Sequence, residues 1–283
     1  MRILISGLGL IGGSLCKALK KYTSHTVIGQ NRNNAVAEKA LSDGAIDEIF
    51  NGDYSDIDMA VICFYPEATM KHFDGIAPRM RKGTVVTEVC GIKNGLCEHM
   101  HETAEKHGLH FVGLHPMAGK EKGGYDNSFA ELYVNANFII TPFEESNKDA
   151  VALIETFSRE VGAKKIIITT PDEHDRIIAY TSQLAHVVSS AYVKSPTLEM
   201  ECGFSGGSFQ DMTRIATMNA EMWTPLFMSN RENLISEIKV LIGNLEKYSA
   251  ALENNDADEM SRLISQGREL KEENLRKRIG EPN

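Results

Sequence analysis

Arg2-Ile3-Leu4-Ile5-Ser6-Gly7-Leu8-Gly9-Leu10-Ile11-Gly12-Gly13-Ser14 opens the chain, and its reading decides the fold. Ile3-Leu4-Ile5 is a short apolar strand, and Ile11 to Leu19 has the spacing of a helix. Between them Gly7-x-Gly9-x-x-Gly12 forms the turn of a dinucleotide-binding unit. Gly7 permits the tight turn, Gly9 lets a pyrophosphate approach the backbone, and Gly12 lets helix and strand pack closely. The N–H groups of Leu8, Leu10 and Ile11 lie at the helix start, where phosphate oxygens are held. A flexible strand–helix loop is the plainer alternative for the same glycines.

Outward from this turn, strand candidates recur at Thr26–Gly29, Met59–Phe64, Thr84–Val89, His110–Leu114, Phe138–Thr141 and Lys165–Thr169. Helical stretches such as 94–107 and 148–161 lie between several of them. This alternation predicts an α/β fold: a Rossmann-type, doubly wound parallel sheet over residues 1–170. After Pro171 the pattern changes to helical spacing over 172–193, 223–248 and 256–278, which predicts an all-helical domain over 171–283. Its apolar stripes exceed what a few helices bury alone, so a homodimer is expected. Gly280 to Asn283 are expected to fray.

The 283 residues carry a formal charge of −9, which disfavours nucleic acid and anionic membranes as partners. The five cysteines are odd in number and form no C-x-x-C pair, so a reducing compartment with free thiols and no metal site is expected. The opening strand does not read as a signal peptide, and no apolar run approaches the ~18 residues of a membrane span. A cytoplasmic enzyme is the expectation.

NAD and NADP are distinguished at the end of the second strand, Gly29-Gln30-Asn31-Arg32-Asn33. The carboxylate that binds the ribose of NAD is missing there, and Arg32 suits a 2′-phosphate, which leans the reading toward NADP. Asn31 on the 2′-hydroxyl of NAD, with Arg32 in solvent, is the alternative. Phe64 and Gly91, at the ends of later strands, are also assigned to the cofactor.

His115-Pro116-Met117-Ala118-Gly119 follows a strand, at the sheet edge where ligands of open α/β sheets bind. A neutral imidazole there accepts a proton from a hydroxyl undergoing oxidation; a histidine that satisfies a loop carbonyl is the plainer alternative. Gln183 and His186 share a helix face, as do Asp211 and Arg214. Asp211 either orients the Arg214 guanidinium toward a carboxylate or forms a surface ion pair with it. Gly207 belongs to a glycine-rich stretch that allows backbone to approach a ligand.

Four segments in this order resemble the prephenate dehydrogenase family: Gly7 to Ser14, His115 to Gly119 with Glu121, Ser182-Gln183-Leu184-Ala185-His186, and Asp211-Met212-Thr213-Arg214-Ile215-Ala216 with Trp223. The resemblance spans nearly the whole chain. It implies a nucleotide-binding domain and a dimerising helical domain that together oxidise prephenate, with decarboxylation, to 4-hydroxyphenylpyruvate in tyrosine biosynthesis. Close relatives act on arogenate. It implies that His115 takes the proton of the substrate hydroxyl and Arg214 binds a carboxylate. His186, Gln183, Gly207 and Asp211 are expected at the substrate, with Glu121 and Trp223 lining or gating it. Two positions depart from the pattern. Gly91 stands where many relatives carry serine, and Gln183 where histidine is frequent. No further regulatory domain is expected after the helical one. A different small-acid dehydrogenase of the same fold, or a nucleotide sensor without catalysis, are the competing readings.

Overall fold

The computed structural model describes residues 1–120 and 122–279. The expected fraying at Gly280 to Asn283 falls outside them. β1 (Arg2–Ser6), α1 (Leu10–Tyr22), β2 (Thr26–Gln30), α2 (Asn34–Ser42), β3 (Glu48–Ile49), β4 (Met59–Ile62), α3 (Pro66–Ile76), β5 (Val85–Glu88), α4 (Leu96–His107) and β6 (His110–Phe111) build one sheet with its helices. All six strands are parallel, in the order β3-β2-β1-β4-β5-β6. This is the doubly wound order, whose crevice lies between β1 and β4, where the winding reverses. β4 is apolar and buried throughout, and the middle of β1 likewise, because both faces of the central strands are covered. Along β1 and β4, Ile3, Ile5, Met59 and Val61 enter one core, while Leu4, Ala60 and Ile62 enter the other.

The single strand expected over 110–114 is two. β6 ends the parallel sheet at Phe111. β7 (Gly113–Pro116) then pairs antiparallel with β8 (Asn137–Thr141) in a second sheet. After α5 (Lys148–Glu160), β9 (Lys165–Ile168) adds parallel to β8. The chain turns at Gly113, where a Cβ would come within 2.3 Å of Thr141 Oγ1 and 2.9 Å of Cys97 Sγ. Short apolar runs signal a strand but not which sheet receives it.

Helices follow: α6 (Pro171–Ile178), a π-helical turn (Ala179–Gln183), α7 (Leu184–Tyr192), α8 (Gly207–Thr213), α9 (Ala220–Ser229), α10 (Arg231–Glu253) and α11 (Ala257–Ile279). The helix expected to run unbroken from Trp223 to Tyr248 is interrupted at Asn230, whose side chain points inward and donates to the Asp175 carbonyl and to Gln183 Oε1, both at 2.8 Å. By packing the chain divides into Met1–Asn230 and Arg231–Asn283. In the second unit, Asp256 Oδ1 caps α11 by accepting from the Glu259 N–H at 2.9 Å. Among the described residues, no helix is long and apolar enough to cross a membrane.

Candidate active site

The glycine turn sits at the β1–β4 switch point. Gly7 adopts φ +100°, and a Cβ there would lie 2.7 Å from the Cys63 carbonyl and from the Phe64 ring. Gly12 is more constrained, since its Cβ would fall 2.0 Å from the Gly7 oxygen. A Cβ on Gly9 would meet no described atom within 4 Å, so packing does not require glycine there. Gly9 is exposed and is the N-cap of α1, and a glycine cap has no side chain to satisfy the first N–H groups. The first turn, Leu10 to Gly13, carries no acid. An unsatisfied helix start with open space beside it fits a dinucleotide pyrophosphate.

Asn31 is turned into the loop. Its Oδ1 accepts from the Leu8 N–H at 3.0 Å, and its Nδ2 donates to the Asn33 carbonyl at 3.1 Å. Arg32 is exposed. Phe64 packs at Gly7 and stands edge-on to His72. The Phe64 carbonyl accepts from Cys90 Sγ at 3.3 Å, which ties the end of β4 to the loop after β5. Gly91 follows in that loop, and a Cβ on it would be 3.7 Å from His115 Nε2, an ordinary contact. The nucleotide turn, Phe64, Gly91 and His115 therefore form one continuous row along the carboxyl edge of the strands.

Beneath this row lies a buried ionic group absent from the sequence-based assignment. Glu88, Lys93, His174 and Asp175 are each at most 1% exposed. Lys93 Nζ donates to Glu88 Oε1 at 2.5 Å, to the Leu114 carbonyl at 2.8 Å and to the Cys90 carbonyl at 3.1 Å. One ammonium thus pins β5, the Gly91 loop and β7 together. Burial alone would lower the Lys93 pKa, but the Glu88 carboxylate outweighs it and holds the value above the usual one. His115 is half-buried on β7, with Nδ1 2.8 Å from His174 Nε2. Its pKa is held well below the ordinary value by burial first, then by His174 and the Lys93 charge. An imidazole in this position rests neutral and able to take a proton.

The sequence offered one signal for this group. Glu88 ends an otherwise apolar strand, and a carboxylate there needs a cation, which Lys93 supplies five residues on. Glu173-His174-Asp175-Arg176 reads instead as a solvated helical face.

A second cluster lies about three helical turns beyond His174. His186 stacks on Trp223 with ring centroids 3.9 Å apart, and Trp223 contacts Phe227 at 5.3 Å. His186 Nδ1 lies 2.9 Å from the Ser182 carbonyl, so Nδ1 carries the proton in that bond. Gln183 does not share this surface, although it was expected beside His186. The π turn directs it inward, where Nε2 donates to the Leu226 carbonyl at 3.2 Å and Oε1 accepts from Asn230. Asp211 and Arg214 are exposed, and Gly207 begins α8. Glu121 lies outside the described residues.

The sequence model of the prephenate dehydrogenase nucleotide-binding domain matches residues 15–167, and that of the prephenate dehydrogenase dimerization domain matches 170–266. The chain belongs to the prephenate dehydrogenase family. Within this family, the cyclohexadienyl dehydrogenase of Zymomonas mobilis is 28% identical over 269 residues, covering 90% of each chain. The crystal structure of prephenate dehydrogenase from A. aeolicus, in complex with hydroxyphenyl propionate and NAD+, superposes with a TM-score of 0.85 at 26% identity. That match covers 96% of this chain and 98% of the other. Synechocystis arogenate dehydrogenase gives a TM-score of 0.84 at 25% identity, over 96% and 99% of the two chains. The expected fold class is what this family has: a parallel-sheet nucleotide-binding domain followed by a helical domain.

Proposed function

We propose that this member of the family oxidises prephenate to 4-hydroxyphenylpyruvate and carbon dioxide, with His115 as the base. The observation that carries the proposal is a neutral imidazole in line with the nucleotide turn, its Nε2 beside Gly91. The bound nicotinamide supplies the hydride acceptor. His115 Nε2 takes the hydroxyl proton as the carbon–hydrogen bond breaks. The ring carboxylate departs as carbon dioxide, and its bonding electrons complete the aromatic ring. Aromatisation drives the step, so the protein chiefly has to orient the reactants and hold the proton. Arg214 binds a substrate carboxylate through its bidentate fork, and His186 with Trp223 holds the substrate. Asp211 and Gly207 are proposed to border that pocket. Gln183, whose amide is engaged inside, supports it from behind.

The cofactor is proposed to be NADP rather than NAD, on Arg32 and the missing carboxylate at the end of β2. The chain is proposed to act as a cytoplasmic homodimer with the domain boundary near residue 170. The dimerization-domain match supports the dimer, as do bare apolar side chains such as Phe204, 91% exposed. Arogenate is the second substrate reading, favoured by the likeness to the Synechocystis enzyme.

The test offers purified protein prephenate or arogenate with NAD+ or NADP+ and follows the absorbance of reduced nicotinamide. Prephenate-dependent reduction is expected. Nucleotide binding without reduction of either cofactor by either substrate would make the protein a sensor. In sizing at micromolar concentration, twice the chain mass is expected, and a fully active monomer would refute the dimer.

A further inference from the structure

We infer that Asp175 and His174 set the tautomer of His115, keeping the proton on its Nδ1 and the lone pair on its Nε2. The inference rests on His115 being the base of the proposed reaction, and it makes His174 and Asp175 positioning residues.

The hydrogen-bond directions follow one from another. The Lys93 N–H donates to Asp175 Oδ1 at 2.9 Å, and the Asn94 N–H donates to Asp175 Oδ2 at 2.8 Å. Main-chain N–H groups only donate, so both carboxylate oxygens are acceptors and the group cannot rotate without losing a bond. Asp175 Oδ1 also lies 2.7 Å from His174 Nδ1. A ring nitrogen facing a carboxylate oxygen at that distance donates, which places the His174 proton on Nδ1. His174 is fully enclosed, and burial holds its pKa below the ordinary value against the pull of Asp175. A neutral imidazole has one N–H, so His174 Nε2 is a lone pair. It faces His115 Nδ1 at 2.8 Å, and two lone pairs at that separation repel. His115 therefore donates from Nδ1, and its Nε2 is left as the acceptor on the Gly91 side.

The same chain serves the protonated state. When His115 takes a proton at Nε2, its Nδ1–H still points at His174, and the new charge is linked through one neutral ring to Asp175. Lys93 opposes that charge, but Glu88 pairs with Lys93 at 2.5 Å, so Asp175 is the carboxylate whose charge is left to balance the imidazolium. Three segments far apart in sequence meet here, 59 residues apart for His115 and His174 and 82 for Lys93 and Asp175. A group serving only to hold α6 against the Gly91 loop would need the Asp175 bonds but not the His174–His115 one.

The test reads the ring nitrogens directly. Protein labelled with 15N in its nine histidines is studied without cofactor or substrate at a pH where His115 is neutral, and its signals are assigned by their loss in His115→Asn. The expected result is a pyrrole-type Nδ1 and a pyridine-type Nε2. His174→Phe, which cannot accept, should move the proton toward Nε2 and lower kcat roughly 10²-fold or more, with KM held. His174→Gln places an amide oxygen near the former Nε2 and should restore both the tautomer and most of kcat. A wild-type His115 protonated on Nε2, or a tautomer unchanged in His174→Phe, would overturn the inference. Should His174→Phe fail to fold, the wild-type spectrum alone decides. If the tautomer is as stated but His115→Asn keeps its kcat, the base assignment fails while the tautomer inference stands.

Discussion

The row under the sheet edge and the segment carrying Arg214 and Trp223 are built in opposite ways. Around His115, four charged or titratable side chains are enclosed and bonded to one another or to main chain. From Pro196 through α8 and α9, none of the helical residues is buried, and Leu198, Met200, Phe204, Met212 and Met228 are all exposed. A side chain immobilised by the fold loses little further freedom when a ligand arrives, whereas an exposed one pays that cost on binding. Substitutions in the first region should therefore act on the chemical step, and those in the second on substrate affinity.

The strongest way to break this contrast is His115→Asn, which keeps size and some hydrogen bonding but cannot take the proton. Steady-state kinetics should show kcat lowered about 10²–10⁴-fold with KM little changed. A main effect on KM would place His115 with the binding groups. The pH profile sharpens the point. The base must be neutral, and the His115 pKa lies well below the usual value, so kcat should persist as pH falls through about 6.5 and drop only below it. Stability has the same sign. The unfolded chain binds the protons that buried His115 and His174 refuse, so unfolding should become easier as pH falls from about 6.5 toward the lower folded values.

Arg214→Ala tests the other region. The residue is exposed before substrate arrives, and its loss removes one charged hydrogen-bonding partner from the substrate carboxylate, about 1.5–3 kcal/mol. KM should rise roughly 10- to 10²-fold, with a smaller fall in kcat because decarboxylation discharges the same carboxylate. A kcat loss as large as that of His115→Asn, with KM unchanged, would erase the distinction between the regions.

Within the glycine turn, two neighbours separate folding from binding. Gly12→Ala forces a methyl to 2.0 Å from the Gly7 oxygen, and overpacking of this kind costs about 1–3 kcal/mol, read as a lower Tm. Gly9→Ala meets no described atom, so Tm should hold while nucleotide affinity falls because the methyl occupies the pyrophosphate's approach. A lowered Tm in Gly9→Ala would mean that the turn is fixed by packing alone.

These contrasts also show what was legible in the chain. Periodicity and glycine spacing are local, and they located β1, the nucleotide turn and the change to helices near residue 171. The split of 110–114 between two sheets was hidden, because Val112 and Leu114 are apolar in either sheet and the reason for the turn, crowding of Gly113 by Thr141 and Cys97, comes from distant segments. The site divided in the same manner. His115 stood out by its place after a strand. Its partner His174 did not, because a helical Glu-His-Asp-Arg run looks solvated until α6 is seen against the Gly91 loop. Gln183 was misleading for a related reason: three-residue spacing puts it on the His186 face of a regular α-helix, and the π turn over 179–183 breaks that regularity.

The smallest expected effect concerns the cofactor's far end, where the enclosed region itself becomes exposed. Asn31 has its amide tied between Leu8 and Asn33, so it fixes the turn, while Arg32 stands in solvent immediately before the Asn33 cap of α2. An exposed guanidinium meeting a phosphate works against water and salt, which limits the contact to about 1 kcal/mol. Arg32→Ala should therefore weaken NADP binding about fivefold and leave NAD binding nearly unchanged, because only NADP carries the 2′-phosphate. Calorimetric titration of both nucleotides into both proteins measures the ratio, and the NADP loss should shrink as salt is raised. Equal losses for the two nucleotides would show that Arg32 does not read the phosphate. Tighter NAD than NADP binding by the unaltered chain would overturn the NADP assignment and leave the end of β2 as a site for the ribose hydroxyl.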